Sequence, residues 1–92
     1  MSLALEIETA LMKSSGPLLT GELLVKSLGY PSVGAFRKAL QRNAVPVAVF
    51  SIPRRKGRFA LSRDVALWLA EQRLQYAGRE ENERVEEIKK MP

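Results

Sequence analysis

The side chains with the clearest chemistry in this 92-residue sequence are cations and one amide, and they form two groups. One group recurs at helical spacing within residues 32–43, and the other lies in the short segment 53–58 between two apolar runs. The first comprises Arg37, Lys38, Gln41 and Arg42, and the second comprises Arg54, Arg55, Lys56 and Arg58. Lys and Arg bind phosphate groups, whereas Arg and Gln also pair with the edges of guanine and adenine. The chemistry that these residues offer is recognition of a polyanion.

The positive charge of the chain is concentrated on one stretch. The net charge is +5, and residues 23–63 hold nine Lys or Arg and no Asp or Glu. Such a concentration is typical of a surface that binds nucleic acid. The alternative is a solvated basic face without a partner.

The residue types that are absent narrow the possible functions. The chain has no Cys and no His, so we expect neither a disulfide framework nor a zinc site of the usual kind. Catalysis would fall to carboxylates, Ser, Lys or Tyr, and the sequence has neither a nucleophile arrangement nor a glycine-rich phosphate loop. We therefore expect no enzyme activity, no cofactor, no metal and no small-molecule ligand.

Neither a membrane span nor a secretory signal is predicted. The longest uncharged run, residues 43–53, is shorter than the roughly 20 apolar residues that a spanning helix needs. Residues 1–12 carry Glu6 and Glu8 and lack a basic start followed by an apolar stretch. A cytoplasmic location is expected.

Residues 32–43 contain a predicted basic helix with an apolar back. The apolar face comprises Val33, Phe36 and Leu40 at i, i+3 and i+7, opposite the cations. Ser32 is suited to cap the start of this helix, and Asn43 to adopt the left-handed conformation after its end. Gly34 has two interpretations, close approach of the backbone to a phosphate or base, and close helix packing.

Two further helices are predicted before the basic helix. The nearer one covers residues 21–28, with Thr20 as its N-cap and Gly29 as its C-terminal stop. Pro31 then forces a turn. The other, residues 3–13, is separated by a Ser-Ser-Gly-Pro break, and either packs back on the domain or forms half of a dimer contact.

A β-hairpin is predicted after the basic helix. Residues 45–52 are rich in β-branched side chains with period-two alternation, and residues 58–61 are a second, shorter strand. The connection 53–57 ends in Gly, which suits a tight turn between the strands. The hairpin carries four cations at or beside its tip. Such a tip can lie along a phosphate backbone or insert an arginine into the minor groove. The alternative is a solubilising turn.

The third core helix is predicted at residues 63–77, capped by Ser62. It has two apolar stripes, Val65, Trp68 and Leu69 on one and Leu67, Ala70 and Leu74 on the other. One of these stripes can pack against the helix-turn-helix, and the other requires a cover, either the N-terminal helix or a second subunit. The charged residues 78–92 form a solvated helix or a disordered end.

The order of helix, turn, basic helix and basic hairpin predicts a mainly α fold with a small β-hairpin, the winged helix-turn-helix. Three segments follow from this order. Residues 1–17 form an N-terminal helix and linker, residues 18–77 the winged helix-turn-helix domain, and residues 78–92 a charged tail.

Residues 18–74 resemble the MerR/excisionase-like winged helix-turn-helix superfamily. The motifs in common order are Leu19-Thr20, Leu28-Gly29, the basic helix, Val45-Pro46, Arg58-Phe59, and Asp64-Val65 with Trp68-Leu69. The turn before the basic helix is one residue longer than the common pattern, and Asn43 stands where Gly is usual. The sequence also lacks the long coiled coil and effector domain of MerR activators, so sensing of a ligand or metal is not expected.

The resemblance implies that the basic helix occupies the DNA major groove and that the hairpin, or wing, contacts backbone or minor groove. Arg37 is the best candidate for a guanine contact and Gln41 for an adenine contact, whereas Lys38 and Arg42 are suited to phosphates. The full set of expected DNA-binding residues is Ser32, Gly34, Arg37, Lys38, Gln41, Arg42, Arg54, Arg55, Lys56 and Arg58.

The predicted function is sequence-specific binding of double-stranded DNA by a phage, plasmid or mobile-element regulator of transcription. The chain is expected to form a homodimer through the N-terminal helix, the third core helix or both. One alternative is an excisionase-like architectural protein that bends or coats DNA. Another is a protein interaction module whose basic stretch contacts an acidic partner. RNA binding is less favoured, because the few aromatic residues fall on predicted core faces.

Overall fold

The computed structural model describes the backbone of residues 2–90 and the side chains of residues 2–76. The described part is mainly helical, with one small antiparallel sheet, and is compatible with a helix-turn-helix-like fold. The elements are α1 Leu3–Ser15, β1 Leu18–Thr20, α2 Gly21–Ser27, α3 Val33–Gln41, β2 Phe59–Leu61 and α4 Ser62–Lys90. None of the helices in the described residues is long and apolar enough to cross a membrane.

The pair α2 and α3 follows the local signals in the sequence closely. Gly29, with φ 83°, ends the first helix, and the Ser32 hydroxyl accepts a hydrogen bond from the Ala35 N–H at 3.1 Å at the start of the second. Asn43 has φ 56°, the left-handed conformation predicted for it. The predictions for the ends of these helices are therefore confirmed. Tyr30 in the turn packs edge-on against Phe36 of α3.

The sheet joins two segments that are distant in sequence. β1 and β2 are antiparallel, and Leu19 is opposite Ala60, with both residues fully buried. The prediction of a strand at residues 58–61 is confirmed to within one residue. Its partner β1 was not predicted as a strand, because a three-residue run before a helix start carries no periodicity to detect.

The prediction of a strand at residues 45–52 is wrong. Within this segment the structure has only an isolated bridge, in which Phe50 and Phe59 exchange two N–H to C=O hydrogen bonds of 2.8 Å. Beyond that bridge the segment does not pair with β2, so the predicted hairpin is reduced to a single bridge, and Pro46 has no N–H to donate. The alternating side chains Val45, Val47 and Val49 nevertheless pack against the core.

The core lies between the sheet, α2, α3 and the start of α4. The buried cluster comprises Leu19, Leu24, Val25, Leu28, Phe36, Ala60 and Val65. Trp68 and Leu69 pack against it, so the stripe that they form with Val65 is the one that faces the core. These contacts fix α3 by its apolar face and leave its basic face outward.

Helix α1 packs along α4, which is the first of the two arrangements predicted for it. The Ser62 hydroxyl donates to the Gly16 carbonyl at 2.7 Å, so the end of α1 meets the start of α4 and the helices run in opposite directions. The prediction that Ser62 caps α4 is wrong, because this residue is already helical and its hydroxyl is used for that contact. The backbone of α4 continues past the predicted end at residue 77 to Lys90.

Candidate nucleic-acid interface

One cleft of about 660 Å³ lies between α3, the start of α2 and the loop 51–58, which we call the basic loop. We call this space the cationic cleft. It is lined by Thr20, Gly21, Glu22, Leu24, Val25, Val33, Phe36, Arg37, Leu40, Gln41, Lys56, Gly57 and Arg58.

The floor of the cationic cleft is apolar and its rim is polar. Leu24, Val25 and Phe36 are buried at its base. Arg37 and Gln41 are exposed one helical turn apart on α3, and Lys56 and Arg58 are exposed on the basic loop. The fold therefore brings members of both sequence-predicted groups to one side of the molecule. Phe36 faces the core, so the next residue of α3, Arg37, faces solvent.

Four of the predicted cations do not line this cleft. Lys38 and Arg42 are exposed elsewhere on α3 and its end, and Arg54 and Arg55 are exposed at the tip of the basic loop. Arg54 has φ 66°, a left-handed conformation that reverses the chain there. These side chains extend the positive surface beyond the cleft at both of its edges.

Ser32 and Gly34 have local roles that bear on their predicted contacts. The Ser32 oxygen already accepts the Ala35 N–H, and its own proton is still available for donation. A Cβ on Gly34 would meet only the Ser32 hydroxyl oxygen, at 3.7 Å, so no neighbouring helix accounts for this glycine. The packing interpretation of Gly34 is therefore wrong, and the space in front of its backbone is open.

Most of the rim cations have no partner within the described part of the protein. Arg37 and Lys56 make no side-chain hydrogen bond or ion pair with any described residue, and Glu22, which lies in the same cleft, makes none either. Arg58 differs, because its Nη1 donates to the Ser51 hydroxyl at 2.9 Å across the basic loop. Arg58 thus braces the loop with one of its five N–H groups and keeps the others free.

Two residues of the cleft were assigned no site role by the sequence. Glu22 was not singled out, because an acid in the first turn of a helix is accounted for by the helix dipole. Thr20 was predicted only as an N-cap. Its backbone does occupy that position, but its hydroxyl makes no capping bond and instead donates to the Arg58 carbonyl at 2.8 Å. No signal in the sequence indicates that contact.

A second groove, of about 280 Å³, has the opposite character. It is lined by Pro46, Val47, Ala48, Asp64, Leu67, Trp68 and Glu71, which include two carboxylates and no cation. The two grooves therefore differ in the charges that line them.

A scan of protein-family models, a search of curated proteins and a search of solved structures each gave no match to this chain.

Proposed function

We propose that this protein binds double-stranded DNA in a sequence-specific manner, as a winged helix-turn-helix regulator of the kind that its motifs resemble. Helix α3 would enter the major groove, and the basic loop would act as the wing. The observation that carries the proposal is the convergence of Arg37 and Gln41 on α3 with Lys56 and Arg58 on the basic loop at one cleft.

The dimensions and the charges support this arrangement. An α-helix with its side chains is about 10–12 Å in diameter, so the major groove, about 12 Å wide, admits a helix such as α3. The cations beside it are exposed and largely free of internal partners, so they can neutralise phosphates and release condensed counterions. The resulting affinity would fall steeply with salt.

Each exposed group has a role that suits its chemistry. Arg37 would pair with guanine and Gln41 with adenine, because both side chains make bidentate contacts in the major groove. The cations outside the cleft would hold phosphates, or reach the minor groove from the tip of the basic loop. Gly34 would allow its backbone to approach the DNA closely, since nothing fills the space where a side chain would be.

The test begins with selection of bound duplexes from a random pool, which gives a specific duplex and its scrambled control. Affinities of both are then measured across salt concentrations. Lys56→Ala should weaken both duplexes about equally and reduce the salt slope by about one. Arg37→Ala should mainly remove the difference between them, by about 1–3 kcal/mol.

The matched control is Arg63→Ala, which removes an exposed cation that does not line the cleft. It should change neither the preference nor the affinity as much as either cleft variant. If Lys56→Ala and Arg37→Ala both leave binding intact, the assigned surface is wrong.

A protein interaction module is a second candidate, and one observation favours it. Leu67 and Leu74, of the second apolar stripe of α4, are 50% and 65% exposed, whereas Ala70 of the same stripe is buried. In that case duplex binding would vanish at moderate salt while a stable complex with another protein persisted. An architectural role would use the same cleft as sequence-specific binding, and bending of longer DNA in gel-shift experiments would identify it.

A further inference from the structure

We infer that Thr20 is a positioning residue, whose hydroxyl holds the basic loop at the distance from α3 that binding of a duplex requires. The inference rests on the proposed DNA-binding function. The Thr20 hydroxyl bonds a backbone carbonyl of the basic loop, so it would affect binding only through the position of the loop cations.

Thr20 connects three elements at one point. It ends β1, its backbone is the N-cap of α2, and it is opposite Phe59 in the sheet register. Its backbone is extended, with φ −151° and ψ 166°, and the hydroxyl donates to the Arg58 carbonyl. Gly57, with φ 93°, is the residue before Arg58. A Cβ atom placed on Gly57 would lie 3.6 Å from the Thr20 hydroxyl oxygen. The left-handed glycine thus brings the chain back to Thr20.

The hydrogen bond is the only one between the basic loop and the rest of the described structure. Within the loop, the Arg55 N–H donates to the Ile52 carbonyl and Arg58 donates to Ser51. The Phe50–Phe59 pair closes the base of the loop and lies outside it. Loss of the Thr20 hydroxyl would therefore leave residues 51–58 without a hydrogen bond to the rest of the described structure.

Thr20 is also connected to α3, through α2 and the buried core. Thr20 leads directly into α2, whose Leu24 and Val25 belong to the same buried cluster as Phe36. Buried side chains at native density transmit a fixed geometry, so α2 and α3 behave as one support. Thr20 couples the loop that carries Lys56 to that support. A loop that moved freely would lose conformational entropy when it bound, and the affinity would be lower.

The experiment compares Thr20→Val with a matched control, Thr9→Val. Thr9 also donates its hydroxyl to a backbone carbonyl at 2.8 Å, that of Leu5, but it lies in α1, away from the cleft. Valine keeps the shape and the β-branching of threonine and removes only the donor. Thr20→Val should bind the selected duplex roughly three- to tenfold more weakly, as expected for one lost hydrogen bond. Thr9→Val and Thr20→Ser, which retains the hydroxyl at residue 20, should stay within about twofold of the parent protein.

A double variant separates positioning from general damage. If Thr20 acts through the loop cations, Thr20→Val should have a smaller effect in a protein that already carries Lys56→Ala, and the two changes should not be additive. Additive effects would overturn the inference.

Amide hydrogen exchange without DNA gives an independent readout. The Arg55 and Phe50 amides should exchange several-fold faster in Thr20→Val, whereas the amides of α3 should be unchanged. Unchanged exchange in the loop, or faster exchange with undiminished DNA affinity, would overturn the inference. If the parent protein binds no duplex at all, the proposed function fails, and the exchange experiment still reports whether the hydroxyl restrains the loop.

Discussion

Two regions of this small protein are stabilised in different ways. The unit formed by the sheet, α2, α3 and the start of α4 contains the buried cluster, including the fully buried Leu19, Leu24 and Val65. Helix α1 has no buried residue, although it packs along α4. Large apolar side chains remain exposed on both of these helices, namely Leu5, Met12, Leu67, Leu74 and Tyr76.

The difference indicates where the protein is rigid. Local unfolding occurs most readily where few apolar contacts are buried, so α1 is expected to open before the unit that supports the cationic cleft. The surface proposed to bind DNA rests on the better-packed region. Helix α1 and the part of α4 beside it do not line the cationic cleft, and their exposed apolar side chains are available for association.

The largest effect that would test this comparison is expected from Leu24→Ala. Leu24 is 1% exposed in the core and also forms part of the cleft floor. The substitution should reduce the free energy of unfolding by about 2–5 kcal/mol, from lost burial and the cavity left behind. Leu11→Ala makes the same chemical change on α1, where the side chain is only partly buried, and should cost about 1 kcal/mol. Chemical denaturation of both variants provides the measurement, and equal losses would contradict the division into two regions.

An intermediate effect is expected from Ser62→Ala, at the junction of the two regions. The fully buried Ser62 hydroxyl donates to the Gly16 carbonyl, and its removal leaves that acceptor unpaired. The cost should be about 1–3 kcal/mol, with faster amide exchange in α1 than in α3. Ser14→Ala removes an exposed hydroxyl that bonds the Leu11 carbonyl within α1, and should change stability by less than about 0.5 kcal/mol. A uniform rise in exchange across both regions would show that they unfold as one.

The parts of the fold that the sequence predicted correctly are those that depend on neighbouring residues. The ends of α2 and α3 follow from Gly29, Ser32 and Asn43, which act within a few residues of themselves. The apolar spacing of α3 likewise indicates which face is buried and which carries cations. These signals are local, so they survive without knowledge of the tertiary structure.

The predictions that failed concern groups with distant partners. Ser62 is not the predicted N-cap of α4, and Thr20 is the predicted N-cap of α2 by its backbone only. The hydroxyls of Thr20 and Ser62 bond carbonyls 38 and 46 residues away. A Thr or Ser before a helix satisfies the capping pattern equally well in either case, so sequence spacing does not separate the two uses. Strand β1 was missed for a similar reason, because its pairing partner β2 lies in a segment that is remote in sequence. The sequence identified the cations of the site, but it did not indicate which of them line the same cleft.

The smallest effect on stability is expected from Leu74→Ala, and it tests the predicted homodimer at the exposed leucines of α4. Leu74 is 65% exposed, so its removal should change the free energy of unfolding of the monomer by less than about 0.5 kcal/mol. If the stripe is a contact between two copies, the same change should weaken self-association, as measured by sedimentation over a range of concentrations. Leu23→Ala truncates an exposed leucine of α2 and should leave self-association unchanged. A parent protein that stays monomeric throughout, or equal responses to the two substitutions, would contradict association through α4.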